Sequence, residues 1–173
     1  MDKCDIIQQI MFDWDKYSVE ELFEMTKDFP LKLLRYIAME HPDNFVRKAF
    51  FRATNVTIGK DAVINRGLTI SDNYESLVFI GDRVAIATNV TLICDSNPNN
   101  SHLKNFTKIQ ERLIYTKKII IESDCWIGAN ATILGGVKIG QYSIVGAGSV
   151  VTTDVDSYSI YAGVPARKLR SIR

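Results

Sequence analysis

Branched aliphatic residues recur at every sixth position over long stretches of this chain. Ile58, Ile64 and Ile70 are spaced by six, as are Ile80, Ile86 and Leu92. After a gap the series resumes as Ile121, Ile127, Ile133, Ile139, Val145 and Val151. A helix would repeat near 3.6 residues and an alternating strand at about 2, so neither fits. A period of six fits a short strand plus a turn. Three such units close a triangular coil, and successive coils stack in parallel. The aliphatic residue then points inward and lies against its equivalent one coil away. Two positions earlier, Val84, Val90, Cys125, Ala131, Val137, Ser143 and Ser149 are small or β-branched and fill what interior remains. Immediately after the aliphatic position come Gly59, Gly81, Gly128, Gly140 and Gly146, which are expected to supply a positive φ at the corner. Ile93 and Leu134 break that preference and predict distorted corners.

Upstream the pattern changes. Residues 1 to about 52 contain no glycine and read as helical. Ser18-Val19-Glu20-Glu21 has the form of a capping box, with Leu22, Phe23 and Met25 behind it. Pro30 opens a second candidate helix carrying Leu33, Leu34, Ile37 and Ala38 at helical spacing. Pro42 interrupts, and Phe45, Val46, Ala49 and Phe50 predict a third short helix or turn. The expected division is a helical segment, 1–52, and a mainly β domain, 53–173. Between Leu92 and Ile121 the period is lost, and the intervening CDSNPNNSHLKNFTKIQERLIYTKK is polar. That stretch must leave the coil, project and return, so an extruded loop is expected at about 95–118.

Composition narrows the function classes. The 173 residues carry 21 basic and 20 acidic side chains, a net charge of +1, which gives no field to draw nucleic acid or an anionic membrane. No apolar run approaches membrane-spanning length. MDKCDIIQQI lacks a signal-peptide pattern, so a cytoplasmic location is expected. Cys4, Cys94 and Cys125 are odd in number and without metal-type spacing, which suits reduced thiols. The two histidines, His41 and His102, are too few for a three-histidine zinc site, and no metal is expected. His41, next to Pro42, reads as structural.

The run IGDRVAIATNVTLICDSNPNN, then DCWIGANATILGGVKIGQYSIVGAGSVVTTDV, then YAGVPARKLR, resembles the galactoside and maltose acetyltransferase branch of the hexapeptide acyltransferases, over roughly residues 53–173. The resemblance implies a left-handed parallel β-helix, a homotrimer, acetyl-coenzyme A (acetyl-CoA) as donor, and active sites in clefts between subunits. It also implies a small sugar or nucleotide-sugar acceptor. In that branch the extruded loop opens with a His-Pro pair whose histidine is the general base. The matching pair here is Asn97-Pro98, and asparagine cannot take a proton at any relevant pH. Three catalytic candidates remain. Asn97 can orient an amine or a water. His102, five residues on, has a reference pKa of about 6.5 that suits a base, unless it is simply a solvated loop histidine. Asp95 is a weak base unless buried, and can instead orient an ammonium or a hydroxyl. A sugar hydroxyl needs a base as it attacks a thioester, whereas an amine is the better nucleophile. A loop without the family histidine therefore fits an amino-sugar acceptor. O-acetylation with His102 or Asp95 as base is the alternative, and a non-catalytic trimeric scaffold is the alternative from another class.

Asn65, Asp72 and Asn73, within INRGLTISDN, fall where the resemblance places acceptor-binding residues, although turn chemistry alone favours Asn and Asp there. Trp126 precedes the inward Ile127 and should point outward. By the resemblance it lines the donor cleft, and packing against a neighbour's loop is the alternative. Gly128, Ala129, Gly146 and Ala147 present little side chain, so a pantetheine arm can approach the coil edge. Their N–H groups are candidates for pairing with its amides or with the oxyanion of the tetrahedral intermediate. Arg167, Lys168 and Arg170 are candidates for the coenzyme's phosphates, or a solvated basic tail.

Overall fold

The computed structural model describes residues 2–173, the side chain of Lys3 excepted. Four helices come first: α1 (Lys3–Phe12), α2 (Val19–Thr26), α3 (Leu31–Glu40) and α4 (Asn44–Ala53). Ser18 and Glu21 form the reciprocal capping box at the start of α2, and Pro30 stands at the N-cap of α3. Asp43 caps α4 by accepting the N–H of Val46 at 2.9 Å. The inner faces of these helices bury Leu22, Leu34, Ile37, Val46, Phe50 and Phe51, which join one continuous core with the coil residues. Helix α4 also closes the first turn of the coil through polar contacts. Asn44 Oδ1 accepts the N–H of Ile64 at 2.9 Å, and Arg47 Nε donates to the Ile64 carbonyl at 2.8 Å.

The rest is a three-sided, left-handed parallel β-helix. The first coil has β1 (Thr57–Ile58), β2 (Val63–Ile64) and β3 (Thr69–Ser71), and the second has β4 (Val78–Ile80), β5 (Ala85–Ile86) and β6 (Thr91–Ile93). An excursion follows, carrying β7 (Asp95–Ser96), α5 (Thr107–Leu113) and β8 (Tyr115–Thr116). The third coil is β9 (Ile119–Ile121), β10 (Trp126–Ile127) and β11 (Thr132–Leu134), and the fourth is β12 (Lys138–Ile139), β13 (Ile144–Val145) and β14 (Val150–Val151). A closing hairpin, β15 (Ser159–Gly163) and β16 (Ala166–Ser171), ends the stack. The first face is β1-β4-β9-β12, the second is β2-β5-β10-β13-β15-β16, and the third is β3-β6-β11-β14. Every period-six aliphatic is buried except Ile70, which lies on the edge strand of the third face and is half-buried.

The corner glycines serve a different end from the one expected. Gly59, Gly81, Gly128, Gly140 and Gly146 are not at positive φ. Positive φ falls two residues later, at Asp61, Arg83, Asn130, Tyr142 and Gly148, and at the same place in hexads without that glycine, at Gly67, Asn89, Asp124 and Gly136. The first set is glycine because of space. At Gly128 a Cβ would stand 2.5 Å from the Ala147 backbone nitrogen, one coil away. Ile93 and Leu134, where that glycine is missing, pair with each other in register on the third face, where β6 and β11 run on by one residue past the inward aliphatic. Gly135 and Gly136 then turn the corner after Leu134.

Candidate active site

The candidate residues fall on two different corners. At the corner after the second face, strand register stacks Asn65, Ala87, Gly128 and Gly146 in one column, and Arg66, Thr88, Ala129 and Ala147 in the next. The N–H groups of Gly128 and Gly146 donate to Val145 O and Tyr161 O, both at 2.8 Å. They belong to the coil-to-coil ladder, which corrects the expectation that they serve a ligand or an oxyanion. Among the described residues, the N–H groups of Ala129 and Ala147 take no part in that ladder. Asn65 is exposed, and its Nδ2 donates to Ile86 O at 3.1 Å, so it lies along the coil edge.

The corner after the third face carries the carboxylate. Asp95, half-buried on β7, accepts from Asn73 Nδ2 on Oδ2 at 3.1 Å and from Thr116 Oγ1 on Oδ1 at 3.0 Å. Thr116 is a residue that sequence reasoning missed; it lies outside the six-residue period, on the return strand β8 that pairs with β7. Asp72 does not belong to the accessible site. It is 2% exposed and faces inward onto Arg35 with both oxygens, at 3.2 and 3.1 Å. The acceptor-binding role expected of it is therefore corrected to a structural one.

Asn97 is exposed at the start of the excursion, and its Oδ1 accepts the N–H of Asn99 at 2.8 Å in a local turn. His102 is exposed and opens a single 3-10 turn, His102–Asn105. His41 is fully buried. Its Nδ1 accepts the N–H of Asp43 at 3.0 Å, which leaves the proton on Nε2, 2.9 Å from the Ile10 carbonyl. Burial pushes its pKa below the ordinary value. Burial also pushes the Cys94 thiol up to about 12 and raises that of Cys125, so neither is a nucleophile.

Trp126 points outward, 57% exposed. It continues an apolar outer column on the second face, made by Val63, Ala85, Trp126, Ile144 and Ile160 in register. Beside it is an open groove of about 580 Å³ whose walls include Tyr142, Tyr158 and Ile172. Arg167, Lys168 and Arg170 are exposed on β16, and the Lys168 ammonium is paired with Asp156 at 2.9 Å. No cluster of three or more His, Cys, Asp or Glu side chains among the described residues is placed to hold a metal.

The two corners are separated by the third face. Six residues at about 3.3 Å each put them on the order of 15–20 Å apart on one chain. Acyl transfer needs its reacting atoms at about 3–3.5 Å.

Residues 118–153 match the family model described as bacterial transferase hexapeptide (six repeats). The chain is 40% identical over 123 residues to the galactoside O-acetyltransferase of Escherichia coli, covering 71% of this chain and 57% of that protein. It is 32% identical over 146 residues to the galactoside O-acetyltransferase of Lactococcus lactis, covering 82% and 67%. It thus spans little more than half to two-thirds of these relatives' lengths. Among solved structures it resembles a hexapeptide-repeat acetyltransferase of Vibrio cholerae, with a TM-score of 0.66 and 27% identity, covering 90% and 93% of the two chains. That protein is also solved in complex with acetyl-CoA. A galactoside acetyltransferase in complex with coenzyme A superposes with a TM-score of 0.60 at 29% identity, covering 83% and 79%.

Proposed function

Because the chain belongs to the hexapeptide-repeat acetyltransferases, whose donor is acetyl-CoA, we propose that it acetylates the amine of a small sugar or nucleotide-sugar, as a homotrimer. The observation that carries this reading is that one loop offers both an exposed amide, Asn97, where the resemblance places the branch's histidine, and a carboxylate, Asp95, held by Asn73 and Thr116. A hydroxyl acceptor has to give up its proton to a base as it attacks. An amine needs only its lone pair. Asp95 receives the acceptor as an ammonium, which then loses one proton to solvent. The nitrogen attacks the thioester carbon, the C–N bond forms and the C–S bond breaks. Of the two protons left on nitrogen, one passes through water to the departing thiolate and the other stays as the amide N–H. Ala129 and Ala147 hold the pantetheine amides, Trp126 flanks the arm, and Arg167 and Lys168 meet the phosphates.

The trimer is supported by the distance between the two corners, which one chain cannot close, and by the apolar column around Trp126. On the excursion Leu103, Phe106 and Leu113 are also exposed, and a neighbour would cover them. Three unpaired thiols, and a donor made inside cells, support a cytoplasmic location.

A second reading, O-acetylation with His102 or Asp95 as base, is favoured by the relatives named galactoside O-acetyltransferases. Thiol release from acetyl-CoA with matched D-glucosamine and D-glucose, and D-galactosamine and D-galactose, separates the two. Amine acceptors are expected to turn over and their hydroxyl counterparts not. Turnover of the hydroxyl sugars alone would sink the first reading. Absence of any thermal stabilisation by excess acetyl-CoA would instead favour a non-catalytic scaffold.

A further inference from the structure

The helical segment reaches the candidate site through one buried contact. Arg35, on α3, is 4% exposed and sits against Asp72 with a two-pronged fork. Its Nε and Nη2 also donate to Thr54 Oγ1 and Thr54 O, both at 2.8 Å. The guanidinium lies 5.2 Å from the Tyr74 ring centroid. Asp72 Oδ1 in turn accepts the N–H of Tyr74 at 3.0 Å, and Asn55 Nδ2 donates to Tyr74 O at 2.7 Å. Between these anchors Asn73 and Tyr74 adopt φ of +51° and +62°. Two consecutive non-glycine residues hold that conformation only where their surroundings over-determine it. The turn they make is what brings the Asn73 amide to Asp95.

We propose that Arg35 is a positioning residue for the acceptor: through Asp72 it sets the Asn73–Tyr74 turn, which aims the Asn73 amide at the Asp95 carboxylate. The helical segment then does more than cap the open end of the coil. It builds one edge of the acceptor site. This rests on the reading of Asp95 as the acceptor's anchor.

The test is a double-mutant cycle on the full chain with acetyl-CoA and D-glucosamine. Arg35→Lys keeps a positive charge opposite Asp72 but loses the fork. Asn73→Gly keeps the positive φ and removes the amide. Each is expected to raise KM for D-glucosamine about tenfold, the scale of one hydrogen bond to a charged group. KM for acetyl-CoA should stay within about twofold, because the donor corner is not touched. The double variant should be no worse than Asn73→Gly alone, since Arg35 acts through Asn73. Multiplying effects, or an equal rise in KM for acetyl-CoA, would overturn the positioning role. If Arg35→Lys does not fold, Asp72→Asn takes its place in the cycle with the same expectation. If D-glucose turns over and D-glucosamine does not, the amine reading has failed, and the cycle is run on D-glucose. If neither turns over, these two sugars are not the acceptor. A crystal structure of Arg35→Lys then decides the positioning alone: separation of Asn73 Nδ2 from Asp95 is expected, and an unchanged 3.1 Å contact overturns it.

Discussion

Replacing Gly128 by alanine isolates the close approach of stacked coils from every other role of glycine. The added Cβ would meet Ala147 N at 2.5 Å, and Gly146 C and Val145 O at 2.8 Å. All three are backbone atoms of the next coil and cannot swing aside. Ordinary contact begins at about 3.4 Å, so the coils must part by about 0.9 Å. The Gly128 N–H donates to Val145 O at 2.8 Å, and Trp126 N–H donates to Ser143 O at 3.0 Å. Stretching both bonds out of range costs about 1 kcal/mol each. Overpacking adds about 1–3 kcal/mol, for about 3–5 kcal/mol in all. Gly148→Ala is the control. Nothing lies within 4 Å of its Cβ, and only the φ of +67° resists a side chain. That conformation costs about 1–2 kcal/mol. At about 2–4 °C per kcal/mol for a chain of this size, Gly128→Ala should lower Tm by about 6–20 °C and Gly148→Ala by about 2–8 °C. Urea unfolding at one fixed protomer concentration gives the same comparison with the concentration term of assembly held constant. If Gly148→Ala proves as damaging as Gly128→Ala, glycine is not there for the approach of the coils.

Three further expectations follow from the same geometry. Asn97→His puts a titratable group where the resemblance places the branch's histidine, and should raise turnover of D-galactose by about 10²-fold if proton removal is what the hydroxyl lacks; no gain would mean that the missing base is not the obstacle. The His41 pKa is lowered by burial, so the unfolded chain binds a proton near pH 6.5 that the folded chain refuses. Its contribution to stability is therefore complete above about pH 6.5 and is lost as the pH falls toward the folded value. Urea midpoints from pH 7.5 down to 5.5 should drop less steeply for His41→Asn than for the native chain, and parallel slopes would refute this. Cys4 is exposed while Cys94 and Cys125 are buried, so one thiol per chain should react quickly with a disulfide reagent at pH 8; two or three fast thiols would mean that the coil opens.

The coil was legible because its interior is one-dimensional. Each inward position meets only its equivalents above and below, so the constraint repeats along the chain and Ile121 through Val151 keep the period. The capping box at Ser18 was legible for a similar reason, since both of its bonds close within one helical turn. Corner chemistry was misread. Gly128 and Asn130 both look like residues chosen for a turn, but one is required by the coil 2.5 Å away and only the other by its own φ of +57°. No pattern within six residues separates those two demands. Asp72 was misread likewise, because its partner Arg35 lies 37 residues upstream on a helix.

The candidate site was the least legible part, and the reason is topological. INRGLTISDN looks like a single acceptor segment, yet Asn65 and Asn73 lie on opposite sides of the third face. Conversely, Asn73, Asp95 and Thr116 are 22 and 21 residues apart in sequence and meet at one corner. A parallel coil assembles sites down its columns and scatters neighbours in sequence around its perimeter. On the proposed reading, a donor held at Ala129 and Ala147 and an acceptor held at Asp95 belong to different edges of one triangle. Three chains packed about an axis bring such unlike edges face to face, which a lone chain cannot do. On this reading the number of subunits is part of the chemistry, and a variant that breaks the trimer while leaving every coil folded would still bind acetyl-CoA and would no longer transfer its acetyl group.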